Sequence, residues 1–547
     1  MFKRIVGITM LFALTALLFN IGPGVARSTQ ALQISTQARG QASKLLKSTK
    51  AKYLSSAGRN ALNLVANPQE QEVDRQSMAA VRSGTADEVP LIQLSPHEAL
   101  VNDPAKDAFD ATSQNSTAVA SFNDTVLVAY NDTGQLFETN SMMGYSRSTD
   151  GGRTFIDMDT MPVPSPPLGQ NIGGPGLAAD RAGNFYVTFM GFDPSGARPE
   201  GFEVAIGVAK STDGGATFQS PVLLPPVDAN QFSFEDRGSI AVDNSGNPMT
   251  GSNVYVSFTH ISSNFDEGVP TAFSRSTDGG ASFSAPILLS DVLDVTQGAE
   301  TVVGKNGEVY VTWFKSFSLA PAASEVEPKK IFIAKSINGG QSFGVPTLVA
   351  NLQEIGASKT DTLSGGIRVR SFPRLAVSPV DGTLYIVYAA NPPGPDGADV
   401  FLTRSTDGGA TWSVPEKVND GSGSMEFFPD VAVNRNGVVQ VIWYSERLLT
   451  LQGFTPEQIS VRQKQSIDGR RSFGREQRVT PFSFTPAIGY DPFLDPLYIG
   501  DNLDLVAGFT ADGPSFNFLM AWTDFRRIMN SGAGNRHDQD VIFSVNR

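Results

Sequence analysis

Six copies of one ten-residue string constrain this chain more than any other feature. They read SRSTDGGRTF (146–155), AKSTDGGATF (209–218), SRSTDGGASF (274–283), AKSINGGQSF (334–343), TRSTDGGATW (403–412) and KQSIDGRRSF (464–473). Their acidic or amide positions, Asp150, Asp213, Asp278, Asn338, Asp407 and Asp468, lie 63, 65, 60, 69 and 61 residues apart. A period of that length means one supersecondary unit repeated along the chain. The string itself is turn chemistry: an Asp or Asn oxygen accepts bonds from backbone N–H groups, the glycines take positive φ, and the closing Phe or Trp packs under the turn. The six acidic or amide positions therefore carry a structural role, and Asn338 and Arg470 are tolerated variants.

Strands repeat with the string. Each copy is preceded by an inner strand (LAADRAGN, IAVDNSGN, TVVGKNGE, LAVSPVDG, VAVNRNGV) and an aromatic-rich second strand (FYVTFM, VYVSFT, VYVTWF, LYIVYA, VQVIWY). A third strand leads into the string and a fourth follows it, as in APILLS or VPTLVA. Four antiparallel strands per roughly 60 residues, closed radially, describe a blade of a β-propeller. After the sixth copy the chain supplies three more strands, near 502–507, 516–526 and 538–545, and EVPLIQLSP (88–96) matches the fourth-strand template. The expectation is an all-β, seven-bladed propeller spanning residues 89–547, its last blade completed by the amino-terminal strand. Six blades, with the tail from 490 packed elsewhere, is the alternative.

Upstream of the repeats, Lys3 and Arg4 precede an almost wholly apolar run from Ile5 to Phe19 and then Gly24-Val25-Ala26, the pattern of a signal peptide over 1–26. Residues 27–88 read as a basic, partly helical or low-order spacer, with a loose leucine rhythm around Ala42 to Val65. The net charge of −13 divides accordingly. Residues 1–88 hold 11 basic and 5 acidic side chains, which leaves the propeller with 31 basic and 50 acidic ones. An acidic body argues against nucleic acid as a partner. The absence of cysteine excludes disulfides, thiolate metal sites and a Cys nucleophile. The expected setting is export to a periplasm or beyond the cell, as a monomer with no membrane span after signal cleavage. No cofactor is expected: Asp-Arg-Ala-Gly-Asn (180–184) and Asp-Asn-Ser-Gly-Asn (243–247) hint at calcium but sit where turns between the first and second strands belong.

The pattern S-x-D-G-G-x-T-F/W at blade spacing resembles the Asp-box repeat of the sialidase superfamily, over nearly everything from residue 89 to 547. In such propellers the mouth of the central channel is the place for a site. Aligning the blades puts Thr117, Gly176, Ser239, Glu300, Arg374, Asp430 and Asp504 in one column at the inner-strand heads, with Asn115, Arg237 and Asn502 two residues earlier. A second column, beyond the second strands, holds Asp132, Gly191, His260, Lys315, Ala390, Ser445 and Asp524, followed by Arg447 and Arg526. The resemblance implies three arginines around a substrate carboxylate, a Tyr nucleophile activated by a Glu, and an Asp acid. Here it nominates Arg237, Arg374 and one of Arg447 or Arg526, with Tyr444 beside Glu446, and Asp132 as the acid. Glu300, Asp430, Asp504, His260, Lys315 and Asp524 are the binding candidates, weighed against simple blade-to-blade salt bridges. Phe232, Phe234 and Phe265 are candidate exposed aromatics near the mouth.

Two functions are compatible with these residues. One is a sialidase-like glycosidase acting on a glycan or glycoconjugate. The other is a non-catalytic scaffold that binds a glycan or an envelope or extracellular protein.

Overall fold

The computed structural model describes residues 36–48, single positions between 54 and 66, and 94–546 with short breaks. The expected signal peptide lies outside the described residues, as do the sixth turn's Asp468 and Arg470 and the loop residues Phe232 and Phe265. Among the described residues the body is all β: five four-stranded antiparallel sheets, a nine-stranded sheet that contains two further such four-stranded units, and a two-stranded hairpin. The inner strands of the seven four-stranded units are 114–122, 176–179, 233–242, 294–303, 374–377, 425–433 and 504–510. Each inner strand lies against the next, and the seventh lies against the first, so the seven form a closed ring around a channel. This is the radial arrangement of a β-propeller. The second and third sheets are also joined edge to edge, where Phe234 meets Val204.

The repeated turns link the third and fourth strands of their sheets. In the first, the Ser148 hydroxyl donates to Asp150 Oδ1 at 2.8 Å and accepts the Gly152 N–H at 2.9 Å. Asp150 then takes the Thr154 N–H at 3.0 Å and the Thr154 hydroxyl at 2.7 Å. The turns at Asp213, Asp278 and Asp407 repeat this set. At Asn338 the pattern survives because the amide nitrogen donates to Ser342 Oγ at 2.8 Å while the amide oxygen still accepts the Ser342 N–H. The hydroxyls of Ser282 and Thr411 hold Asp278 and Asp407 down to about 2, so both stay ionised and committed to the turn.

The turns also join neighbouring sheets, which the single-turn reading missed. Three closing aromatics pack against the preceding sheet, Phe155 against Phe543 at 5.0 Å, Phe218 against Tyr145 at 5.3 Å and Phe343 against Phe273 at 4.8 Å, while the Trp412 indole donates to the Gly409 carbonyl of its own turn at 3.3 Å. The basic residue ahead of the turn reaches the following sheet. Arg147 donates to the Gly214 carbonyl at 2.7 Å, Lys210 to Gly279 at 3.0 Å and Arg275 to Gly339 at 2.8 Å. In the seventh sheet Val545 stands opposite Leu519 as Arg147 stands opposite Leu127, so this clasp is missing there.

A different device closes the ring. The seventh sheet is completed by Glu98–Leu100, paired with Asp540–Asn546; of the expected 88–96 only 94–96 are described, and they lie just ahead of this strand. Charge selects the register: Arg526 grips the Glu98 carboxylate through both terminal nitrogens, at 2.8 and 3.0 Å, and holds Asp524 with Nε. Its neighbour Arg527 binds Asp538 at 2.8 Å and Asp540 at 2.7 Å.

The segment expected to be a loose spacer is partly packed. Helix α1 spans Thr36–Lys47, and Ala42, Leu45, Leu54 and Leu62 are each at most 2% exposed within the core cluster that holds Phe192, Phe234 and Tyr498. Phe234 is therefore core, not an exposed platform. No described helix is long and apolar enough to cross a membrane.

The second glycine of the first, second and fourth turns, Gly152, Gly215 and Gly340, is constrained twice, by positive φ and by a close neighbour. Gly215 has φ +78°, and a Cβ there would stand 2.5 Å from the Leu127 methyls of the preceding sheet, whereas Gly214, at φ +69°, has nothing nearer than 3.6 Å. Gly214→Ala should cost about 1 kcal/mol for left-handed strain. Gly215→Ala should lose a further ~1–3 kcal/mol to overpacking at the sheet boundary. Equal losses in urea titrations would show that the second glycine serves the turn alone.

Candidate functional site

The inner-strand heads enclose a central cavity of about 300 Å³. Its wall contains the whole first column, Thr117, Gly176, Ser239, Glu300, Arg374, Asp430 and Asp504, together with Arg237 and Asn502. The register corrects one member. Inner strands of the first, third, fourth and sixth sheets carry a bulge, with shifts at 115/118, 236/239, 297/300 and 427/430. The equivalent of Glu300 in the first sheet is thus Ala118, and Thr117 is the extra residue. The first bulge residues, Ser116, Arg237, Gly298 and Phe428, have φ of 53°, 53°, 63° and 46°. Three non-glycine residues in the left-handed region at one channel mouth are a local concentration of strain.

Arg374 is the hub. It donates to Asp430 from Nε at 3.1 Å and Nη2 at 3.0 Å, and Nη2 reaches Asp504 at 2.8 Å. Glu300 lies 3.6 Å from Nη1. Each carboxylate also accepts a backbone N–H from the next inner strand of the ring. Glu300 takes Leu375 at 2.8 Å, Asp430 takes Leu505 at 2.8 Å and Asp504 takes Val119 at 2.6 Å. Ser239 does the same for Thr301 at 3.1 Å. The cluster therefore bolts sheets together as well as lining a cavity. Burial pushes Glu300 and Asp504 above the usual carboxylate range; Arg374 opposes this for both, and the nearby Asp430 adds to it.

Arg237 stands apart from the hub. Its guanidinium lies 5.6 Å from the Phe372 ring centre, and Nη2 donates to Asn502 at 3.0 Å. Nη1 is buried without a hydrogen-bond acceptor among the described residues; its nearest carboxylate, Asp501, is 4.0 Å away. Arg370 and Phe372 also line the cavity. The sequence reading missed both, although Arg368, Arg370 and Arg374 within seven residues were a visible signal.

The second column does not reach the cavity wall. Most of its side chains turn back onto their own sheets. Gln114 donates to Asp132, His260 Nδ1 lies 3.1 Å from Glu235, Lys315 pairs with Asp294, and Ser445 donates to Glu426. Asp524 takes the Trp522 indole N–H at 2.9 Å besides Arg526. Gly191 and Ala390 carry no polar side chain. Burial raises Asp132 to about 7, an acid–base range, but away from this cavity.

The nominated catalytic set does not assemble. Arg526 is 1% exposed at the ring closure and Arg447 is exposed on the second strand of the sixth sheet; neither lines the cavity with Arg237 and Arg374. The Tyr444 hydroxyl donates to the Thr523 carbonyl at 3.0 Å and accepts the Thr523 N–H at 2.9 Å. Burial pushes its pKa upward, the wrong direction for a nucleophile. Glu446 is fully buried on the same strand and outside the cavity wall. The two calcium-like strings form turns: Asp180 takes the N–H groups of Ala182 and Asn184, and Asp243 that of Ser245.

No protein-family profile matches the chain, and no curated protein matches it. It is similar to several solved structures. An ulvan lyase of a polysaccharide lyase family is 12% identical over 75% of this chain and 92% of that one, with a TM-score of 0.44. An α-L-arabinofuranosidase from Fusarium graminearum is 13% identical over 67% and 97%, at 0.41. A Hadza microbial sialidase is 13% identical over 84% and 96%, at 0.40.

Removing the hub cation leaves three buried carboxylates facing one another. Arg374→Ala should cost about 3–5 kcal/mol at pH 8. Because the folded-state pKa values of Glu300 and Asp504 are raised, these groups favour folding when protonated, and their contribution is lost as pH rises from the ordinary carboxylate range through the raised values. The variant should therefore recover much of its deficit at pH 5. A deficit independent of pH in thermal melts would refute the hub.

Proposed function

We propose that this chain is an exported seven-bladed Asp-box propeller that binds a glycan or glycoconjugate at its central mouth. The observation that carries the reading is Arg237, held in a strained left-handed backbone with a buried Nη1 that finds no acceptor among the described residues at the cavity wall. A buried donor left unmade costs about 1–3 kcal/mol, which a ligand oxygen would offset. Guanidinium and carboxylate groups beside Phe372 and Phe428 suit a ligand rich in hydroxyls with one apolar face. Binding is favoured over sialidase-type hydrolysis because Tyr444 is tied to Thr523 and Arg526 to Glu98.

The second reading, a hydrolase, rests on Glu300 and Asp504, two cavity carboxyls held above the usual range. General acid catalysis requires such a shift.

On a glycan array the protein should give signals that fall at least tenfold in Arg237→Ala and persist in Tyr444→Phe. A panel of fluorogenic exoglycosides, including a sialoside, should show no turnover. Turnover abolished by Glu300→Gln or Asp504→Asn, in variants that keep the native melt, would replace binding with hydrolysis. Absence of both array signal and turnover would end the glycan reading.

A further inference from the structure

The repeated turns allow an internal comparison. At four boundaries the first glycine of a turn faces a cation from the preceding sheet. Arg147 donates to the Gly214 carbonyl at 2.7 Å, Lys210 to Gly279 at 3.0 Å and Arg275 to Gly339 at 2.8 Å. At the fourth, a Cβ on Gly408 would stand 2.7 Å from Lys335 Nζ. Both lysines lie over the ring of the residue opposite them on the second strand, Lys210 at 5.1 Å from Tyr186 and Lys335 at 5.3 Å from Tyr310. The fifth described turn, at Gly151, follows the seventh sheet in the ring. There Val545 takes the place of the cation and Leu519 that of the aromatic ring. Neither has a polar side-chain atom, and among the described residues no side chain donates to the Gly151 carbonyl.

A cavity of about 630 Å³ lies at this boundary, against about 300 Å³ for the central one. Gly151 and Asp124 line it from the first sheet, and Ser515, Asn517, Leu519 and Val545 from the seventh. Asp124 forms no ion pair among the described residues, and a Cβ on Gly151 would stand 3.7 Å from its Oδ1. An unpaired carboxylate thus flanks the carbonyl that lacks a cation. Arg153 also lines the cavity, but its Nη1 donates to the Asp150 carbonyl at 3.0 Å.

We propose that this cavity is a docking pocket for one basic side chain, arginine or lysine, of a partner polypeptide. The incoming group takes the place that Arg147, Lys210 and Arg275 hold at the other boundaries. Its guanidinium or ammonium donates to the Gly151 carbonyl and pairs with Asp124, while its methylene stem lies on Leu519 and Val545. The propeller's 50 acidic against 31 basic side chains favour a basic partner and oppose docking of a second propeller body. The pocket shares no lining residue with the central cavity, so it does not depend on the glycan reading.

The test uses the full chain and two fluorescein-labelled Gly/Ser peptides, one with a single arginine and its twin with glutamine. By anisotropy the arginine peptide should bind at least tenfold more tightly than the twin. Val545→Arg supplies the missing cation and should weaken this binding at least tenfold. Ile337→Arg adds the same charge at a site 82% exposed on the fourth turn and should leave it unchanged. Should Val545→Arg fail to fold, the absence of native cysteine provides a second route. In Asn517→Cys, modification of the folded protein with an aminoethyl thiosulfonate places an ammonium in the pocket and should block the peptide, whereas a methyl thiosulfonate should not. Equal affinity for both peptides, or equal loss in Val545→Arg and Ile337→Arg, would reduce the effect to general attraction by an acidic surface and overturn the pocket. Binding that appears only in Arg547→Gln would show that the chain's own arginine, outside the described residues, holds the position, and would overturn the partner.

Discussion

Closing the ring is the constraint on which the rest of this structure depends. Seven sheets side by side would leave the first and last exposed, and an exposed sheet is an invitation to pair with another chain. Six of the seven boundaries join sheets that follow one another in the chain, but the last joins the seventh sheet to the first across 385 positions, as between Asp504 and Val119, and the seventh sheet itself takes its fourth strand from the other end of the chain. Val545 stands here in the place of the basic residues seen at Arg147, Lys210 and Arg275, as Gln465 does in the sixth sheet. The amino-terminal strand is fixed within the seventh sheet by a buried network of two arginines and four carboxylates, Glu98, Asp524, Asp538 and Asp540. Breaking one member of such a network leaves a buried uncompensated charge. The nomination of Arg526 as a substrate-binding arginine fails for that reason: Nε and both terminal nitrogens are already committed to holding the propeller shut.

The centre of the ring shows the same economy. Glu300, Asp430 and Asp504 each serve the backbone of the neighbouring inner strand and the guanidinium of Arg374 at once. A charged ring at a channel mouth therefore does not by itself indicate chemistry. Arg237 differs because its environment leaves a donor unused and its backbone strained, and those two features are what set a ligand contact apart from a bolt.

The architecture was legible because turns are local. An Asp, two glycines and a hydroxyl four residues on specify a turn without help from the rest of the fold, and their recurrence set six of the units and the approximate strand positions, the seventh being read from the strands left over after the sixth copy. The inner-strand column was legible for a related reason, since the apolar runs placed the residues that precede them. Where a bulge inserted one residue, as at Ser116 and Thr117, the alignment slipped by one, because nothing in the apolar pattern marks an extra residue in a buried strand. Of the expected closing strand EVPLIQLSP only residues 94–96 are described; the strand that pairs is Glu98–Leu100, and its Glu98 is held by Arg526 at the far end of the chain, a contact that no local pattern marks.

The sequence by itself determined that this chain is a cysteine-free repeat of four-stranded units with a structural turn in each, since those properties depend on near neighbours and composition. Only the tertiary structure decided which charges are spent on the ring and which remain at the mouth. It also decided that Tyr444 is locked away, and that leucines in an apparently loose spacer are buried over the propeller. Those outcomes depend on which residues from distant repeats come within about 4 Å of one another, where desolvation and charge pairing set their strength.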